Sequence, residues 1–527
     1  MQEKKIKTII IGAGLGGLVN GILLKKTRPD NEVIIYDLNK IPGGFCTSFQ
    51  KVATYNNDKI KYTFNVPVVT SDFCKDEPFD HFLKYMGVKP ISWKIVKKPF
   101  QYYPINDDPF LFTKEHGVED LIERTPLEEK KKAKKFFDNM KKFYNEIFYK
   151  ARINPNFFEA IMMLLTIPRS IFMLLQNKTY KQYIKDSGIK TKLIREIFSI
   201  TEGFMGVEVE RASAVGELLM IQSFLQNNLV QPADGYTFQD LSNNLAERFK
   251  ELGGKLVLNT KVDSISFKDK IVNGVLINGK FEQADYVVMS VAQDRIEELI
   301  KNGYHIPKIK RFIKKIKKIP FPNSDFYSLY LLDKNFVEKN SKLREITYHI
   351  YRKNSGIGGD DWNLFIFIPD ILYDNKYYVM NLLYIEHDQK KVDQWIKLRK
   401  TDRKKYDEEK EKMASLLIEE LKEVEPLFNE TPPLKHLLSM SPASYINYGS
   451  KYPISGLAQT PDNFLITRMK QVLLDNLFIS NGASFSAGVW GAIAGGWMGF
   501  VEEYKKMYGI RIGNKDVLYK PGLKNLP

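Results

Sequence analysis

Two cysteines in 527 residues, Cys46 and Cys74, cannot build a disulfide framework, and neither they nor the six histidines show metal-ligand spacing. A stapled secreted fold and a zinc site are thereby excluded, and a reducing compartment fits. No secretory signal stands before the first apolar run, because Met-Gln-Glu-Lys-Lys leads straight into it, so a cytoplasmic location is expected. Internal repeats and low-complexity segments are also missing. The formal charge of +16 comes with no nucleic-acid motif, which sets nucleic acid aside as a partner. Lys, Ile and Asn are abundant together, so part of that charge can reflect an AT-rich genome.

Long uninterrupted apolar runs are absent as well. The most apolar stretch, Phe157 to Leu175, is broken by Glu159, Pro168 and Arg169 and falls short of the ~18 residues a spanning helix needs. Two readings of it stand: a buried pair of helices, or a monotopic element dipping into a lipid surface. Seven basic residues in eleven mark Lys308 to Lys318, where Ile309, Phe312, Ile313 and Ile316 recur at helical spacing. That pattern suits a solvated helix packed on the protein, and second a basic helix lying on an anionic membrane.

What is present begins at Lys7. The β-formers Ile9 to Ile11 run into Gly12-Ala13-Gly14-Leu15-Gly16-Gly17, and Leu15, Leu18, Val19, Ile22 and Leu23 then share one helical face. Arg28-Pro29-Asp30-Asn31 ends the helix, and Glu32 to Tyr36 reads as a buried strand leading to Asp37. Strand, glycine turn, helix, strand and acidic residue follow the order of a dinucleotide-binding unit. Gly12 permits the tight turn, Gly14 lets the backbone approach a pyrophosphate, and Gly17 lets helix and strand pack closely. Asp37 is placed to accept hydrogen bonds from ribose hydroxyls.

Farther along, a helical, highly charged pattern starts at Thr125-Pro126, and helices continue to about Asn228. Leu241 to Leu252 is an amphipathic helix stopped by Gly253-Gly254, after which Lys255 to Asn259 reads as a strand that Lys261 to Ile265 extends. A hairpin turns on Asn278-Gly279, and Ala284 to Ser290 is another buried strand. Phe326 to Leu332, Ile346 to Tyr351, Leu364 to Ile368 and Tyr377 to Glu386 read as a second sheet, and Lys404 to Glu423 as a long ion-paired helix. Leu477 to Ser480 runs through Asn481-Gly482-Ala483 and Gly488-Val489-Trp490-Gly491 into a last helix ending near Tyr508.

Four of these segments, in this order, resemble the phytoene desaturase, carotenoid isomerase and retinol saturase group within the amine-oxidase-like flavoprotein superfamily. They are Gly12 to Gly17 with Asp37, Pro42-Gly43-Gly44 to Phe49, Gly253 to Val262, and Asn476 to Ser480 with Gly488 to Ile493. The resemblance implies FAD, with the Gly43-Gly44 backbone beside its pyrophosphate and ribityl chain and the Val262 backbone against the adenine. Asn481 and Gly482 fall at the ribityl position, and Trp490-Gly491 at the pyrimidine edge of the ring. The chain departs from the group at Asn481, where glycine is usual, and at Phe45, where parts of the superfamily have arginine.

The implied architecture is α/β. A Rossmann-like FAD-binding domain, discontinuous in sequence, takes 1–70, 235–300 and 430–512. An interleaved α+β substrate domain takes 71–234 and 301–429, with a helical, membrane-associating subregion at about 125–230. The implied activity is desaturation, saturation or isomerisation of a lipophilic polyene such as a carotenoid precursor or retinoid. With no second glycine fingerprint in the chain, NAD(P)H, quinone or oxygen is an external redox partner. Amine oxidation and non-enzymatic prenyl-lipid carriage of the GDP-dissociation-inhibitor type are the alternatives. Cys46 is read as a buried structural thiol before a redox partner. Glu202 and Arg211, candidates for acid–base or substrate-anchoring roles, are read first as surface or helix-cap residues.

Overall fold

The computed structural model describes residues 5–67, 70–72, 78–149, 157–226, 229–359, 361–450, 457–462, 472–482, 488–510 and 512. Cys74, Ala483 and the start of the turn before Gly488 lie outside them. A six-stranded sheet is built in the order Lys255–Val257, Glu32–Tyr36, Lys7–Ile11, Tyr286–Met289, Leu477–Ile479, Val472–Leu474, parallel except for its last strand. These strands are short and apolar because both faces are covered. Helices Leu15–Thr27, Phe238–Glu251 and Gly488–Tyr508 pack against one face, and Gln293–Ile300 and Pro307–Ile316 against the other. This is a Rossmann-like dinucleotide-binding arrangement joined to a mixed α/β domain.

The second domain centres on a seven-stranded sheet, Lys435–Met440, Ser324–Asp333, Tyr377–Glu386, Trp362–Phe367, Tyr348–Lys353, Phe100–Tyr103 and Phe110–Phe112. Adjacent strands are antiparallel except Tyr348–Lys353 with Phe100–Tyr103. Helices from Gly117 to Leu225 cover one end of it. A long hairpin, Cys46–Tyr55 with Asp58–Pro67, leads from the first domain to the second sheet.

One expectation changes, and two segments left with two readings take shape. Val262 to Ile265 does not extend the strand Lys255–Val257; Val262–Lys268 opens a separate three-stranded antiparallel sheet, because the chain turns at Asn259, which sits at φ 53°. The helix Pro307–Ile316 seats Ile309, Ile313 and Ile316 in the core, so its apolar face is already occupied by protein. The stretch from Phe157 is a pair of helices, Phe157–Thr166 and Pro168–Gln176, yet much of its apolar surface is exposed rather than buried. Among the described residues, no helix is long and apolar enough to cross a membrane.

Candidate functional site

The site grows from the end of the first strand. Gly12 turns the chain at φ 108°, and a Cβ there would stand 2.3 Å from the Ser290 carbonyl oxygen, so only glycine fits. The Gly12 N–H donates to the Tyr36 carbonyl at 2.7 Å, which ties the turn to the neighbouring strand. Gly17 lies so close that a Cβ would be 2.1 Å from the Gly12 oxygen. Leu15 is buried beneath the loop as the helix begins. Gly14 differs: a Cβ on it meets nothing within 4 Å. The loop is closed behind and open in front, at the N-terminus of the helix Leu15–Thr27, where free N–H groups and the helix dipole favour an anion.

Asp37 braces that loop. Its Oδ2 accepts the Ala13 N–H at 2.7 Å and its Oδ1 the Asn39 N–H at 2.7 Å, leaving acceptor capacity on each oxygen. Burial pushes its carboxyl up, against the pull of those main-chain donors. Gly43, at φ 118°, donates its N–H to the Ala13 oxygen at 2.8 Å and pairs with Gly14 in an isolated parallel bridge. A Cβ on Gly44 would face the Gly14 Cα at 3.5 Å. Thr260 N–H donates to the Asp37 main-chain carbonyl at 2.7 Å and Asn259 N–H to the Asn39 main-chain carbonyl at 2.8 Å. The turn before Val262 is thus held against Asp37, while Val262 itself is buried in its sheet.

The C-terminal segment meets the same loop from the other side. A Cβ on Gly16 would be 2.3 Å from the Ser480 oxygen and 3.1 Å from the Ala492 oxygen, and one on Gly496 2.6 Å from the Gly16 oxygen. The Asn481 amide donates to the Val291 carbonyl, so the residue where this chain departs from the flavoprotein pattern fastens two strand ends together. Gly482 is half-buried beside Ala492. Trp490, half-buried, and Gly491, buried, lie in the first turn of the helix Gly488–Tyr508. A Cβ on Gly488 meets nothing within 4 Å. The open sides of Gly14 and Gly488 suit a dinucleotide whose phosphates and ring lie against main chain, and FAD fits these residue types.

Beyond Gly44 stands an aromatic wall that sequence reasoning did not assemble. Phe45 meets Tyr445 edge-on with centroids 6.5 Å apart, and Phe49 lies 5.4 Å from Tyr448. Behind Tyr445 is Asp325, 2% exposed, whose carboxyl is pushed up to about 7 by burial while the Tyr445 hydroxyl partly stabilises its charge. The only signal in the sequence was the aromatic spacing of Tyr445 and Tyr448 on one helical turn. Cys46 is buried and pushed up to about 12 by desolvation, which leaves an inert thiol.

Glu202 corrects an expectation: it is 3% exposed, accepts from the Asn363 amide at 3.1 Å, and is pushed up to about 8 by burial. Arg211 does lie at the surface, 3.2 Å from Glu208.

Residues 10–85 match the family model described as NAD(P)-binding Rossmann-like domain, and residues 173–434 the one described as flavin containing amine oxidoreductase. An oxidoreductase from Methanosarcina mazei shares the fold at a TM-score of 0.63 and 14% identity, covering 93% of this chain and 99% of that one. Putrescine oxidase bound to putrescine gives 0.60 at 13% identity, with 95% and 98% covered. A protoporphyrinogen oxidase, so described, from Exiguobacterium gives 0.60 at 12% identity, with 96% and 100% covered. No curated protein matches. Fold and family matches together support the amine-oxidase-like flavoprotein superfamily. The match over residues 173–434 supports a flavin-dependent oxidoreductase, and the flavin it implies is FAD.

Proposed function

We propose that the protein oxidises, reduces or isomerises carbon–carbon bonds of a lipophilic polyene, with FAD held by Gly12 to Gly17, Asp37, Gly43, Gly44, Val262, Asn481, Gly482, Trp490 and Gly491. The observation that carries this reading is the aromatic wall of Phe45, Phe49, Tyr445 and Tyr448, continuous with a buried cluster of Tyr62, Phe64 and Tyr327 directly beyond the Gly43-Gly44 loop. When bound, FAD supplies the hydride acceptor or donor. The main chain at Gly14 and Gly44 receives the phosphates, and the N-terminus of the helix Gly488–Tyr508 favours negative charge at its end. The wall orients an extended apolar molecule and excludes water. Asp325, held near neutrality, is the group that can give or take a proton behind Tyr445.

The rings of the same wall also favour a second reading, amine oxidation, because aromatic faces suit a cationic amine. The visible spectrum of the purified protein tests both. A yellow preparation whose flavin band bleaches anaerobically with a polyene supports the first reading, and bleaching with an amine alone supports the second. A colourless protein that takes up no FAD overturns both in favour of a prenyl-lipid carrier.

A further inference from the structure

The helical hairpin Phe157–Thr166 and Pro168–Gln176 displays apolar surface where a folded chain normally hides it. Phe158 is 71% exposed, Leu165 72%, Phe172 63% and Leu175 63%, with Ile161 and Met162 also open. Phe158, Ile161, Met162 and Leu165 are spaced i, i+3, i+4, i+7 and form one stripe; Phe172 and Leu175 form the matching pair on the second helix. The hairpin is not a loose end. Ile167 at its bend is fully buried, Met173 and Leu174 pack on the helical core, and the Ser170 hydroxyl donates to Glu146 at 2.5 Å. One side is anchored, and among the described residues nothing covers the other.

Charge indicates what covers it. Leu127 to Lys192 contains fifteen basic and six acidic residues, so this one-eighth of the chain holds a net +9 of the total +16. Arg169 lies within the hairpin, Lys141 and Lys142 are exposed on the preceding helix, and Lys181 and Lys185 on the following one. A second copy of the chain would bring +9 against +9, which opposes self-association through this face. An exposed apolar stripe that carries Arg169 and is flanked in the chain by exposed Lys141, Lys142, Lys181 and Lys185 fits a lipid leaflet with anionic headgroups, where the large side chains enter the acyl region and the basic residues stay at the phosphates.

We propose that the hairpin Phe157–Gln176 is a monotopic membrane anchor that docks the protein on anionic bilayers. This proposal is independent of which substrate the flavin site takes. The helix Pro307–Ile316, although denser in lysine, is not the anchor, because its isoleucines are spent on the core.

Co-flotation of the full-length protein with vesicles tests it, using phosphatidylcholine alone and phosphatidylcholine with 30% phosphatidylglycerol. The expected result is flotation with the anionic vesicles, lost about tenfold or more in a Leu165→Asp/Phe172→Asp variant and weakened in Lys141→Glu/Lys142→Glu. A Lys314→Glu/Lys315→Glu/Lys317→Glu/Lys318→Glu variant is expected to float as before. The changed hairpin residues are exposed, and an unchanged melting temperature verifies that each variant folds. Absence of flotation, or flotation unaffected by Leu165→Asp/Phe172→Asp, overturns the proposal. So does a dimer seen by light scattering that the same variant dissociates without any vesicle binding, which assigns the stripe to a second copy.

Discussion

Two helix pairs in this chain are both rich in apolar residues and behave in opposite ways. The first, Leu15–Thr27 with Gly488–Tyr508, buries its contact face completely; the second, Phe157–Thr166 with Pro168–Gln176, leaves Phe and Leu side chains more than half exposed. Side-chain size makes the difference. Gly16 and Gly496 bring the first pair into backbone contact, and Gly499 packs equally close to Ser480, so the helices approach until no solvent remains between them. Large residues pave the outer side of the second pair. Apolar composition sets how much surface must be covered; glycine spacing sets whether the chain can cover it alone.

The largest expected effect tests the close-packed pair. Gly16→Val puts branched carbons where even a Cβ would be 2.3 Å from a main-chain oxygen, and should cost about 3 kcal/mol or more of stability with loss of bound flavin. Urea unfolding checks this. Gly14→Ala separates site from scaffold: its Cβ meets nothing and its φ of −68° suits alanine. Stability of the apoprotein should stay within about 0.5 kcal/mol, while FAD affinity falls on the order of 10- to 100-fold through lost main-chain contacts to phosphate. Titration of the apoprotein with FAD measures it.

A pH test probes the same helix pair. The Asn20 amide donates to the fully buried Glu503 at 3.2 Å, and burial pushes that carboxyl up to about 8. Folded, Glu503 keeps a proton that the unfolded chain releases above its ordinary carboxyl pKa of 4.5, so its contribution makes the fold less stable as pH rises from 4.5 to 8. Glu503→Gln should flatten that decline, gaining about 1–2 °C at pH 8 relative to pH 5.5 by calorimetry. A decline of unchanged slope assigns the effect to other carboxyls, with Glu202, also pushed up to about 8, next in line. The smallest effect belongs to the open pair: Leu165→Ser with Phe172→Ser should alter stability by no more than about 0.5 kcal/mol per site. A larger loss means the stripe is covered in the free protein.

Much of the first domain was legible because its signals are local. A strand, three glycines, a helix and Asp37 lie within 31 residues from Lys7, and the Asn278-Gly279 turn announces its own hairpin at φ 51° and 73°. The aromatic wall was not legible, since Phe45 and Tyr445 are brought together only by the hairpin Cys46–Tyr55 with Asp58–Pro67 crossing to the second sheet. Glu202 was misplaced for the same reason: its buried partner Asn363 lies 161 residues away in the chain, on a strand of the second sheet. Val262 was assigned to the wrong sheet because a single left-handed asparagine divides one apparent strand in two.

The contact between Asn20 and Glu503 joins residues 483 positions apart. On the ribosome, the glycine loop emerges early, but its second wall arrives only when the helix Gly488–Tyr508 has left the exit tunnel. At about 5–20 residues per second, that leaves the opening segment waiting roughly half a minute to a minute and a half for its partner. Flavin capture is therefore expected to wait for the end of synthesis, and a chain truncated before Gly488 is expected to carry its nucleotide fingerprint and bind no FAD, which titration with FAD checks.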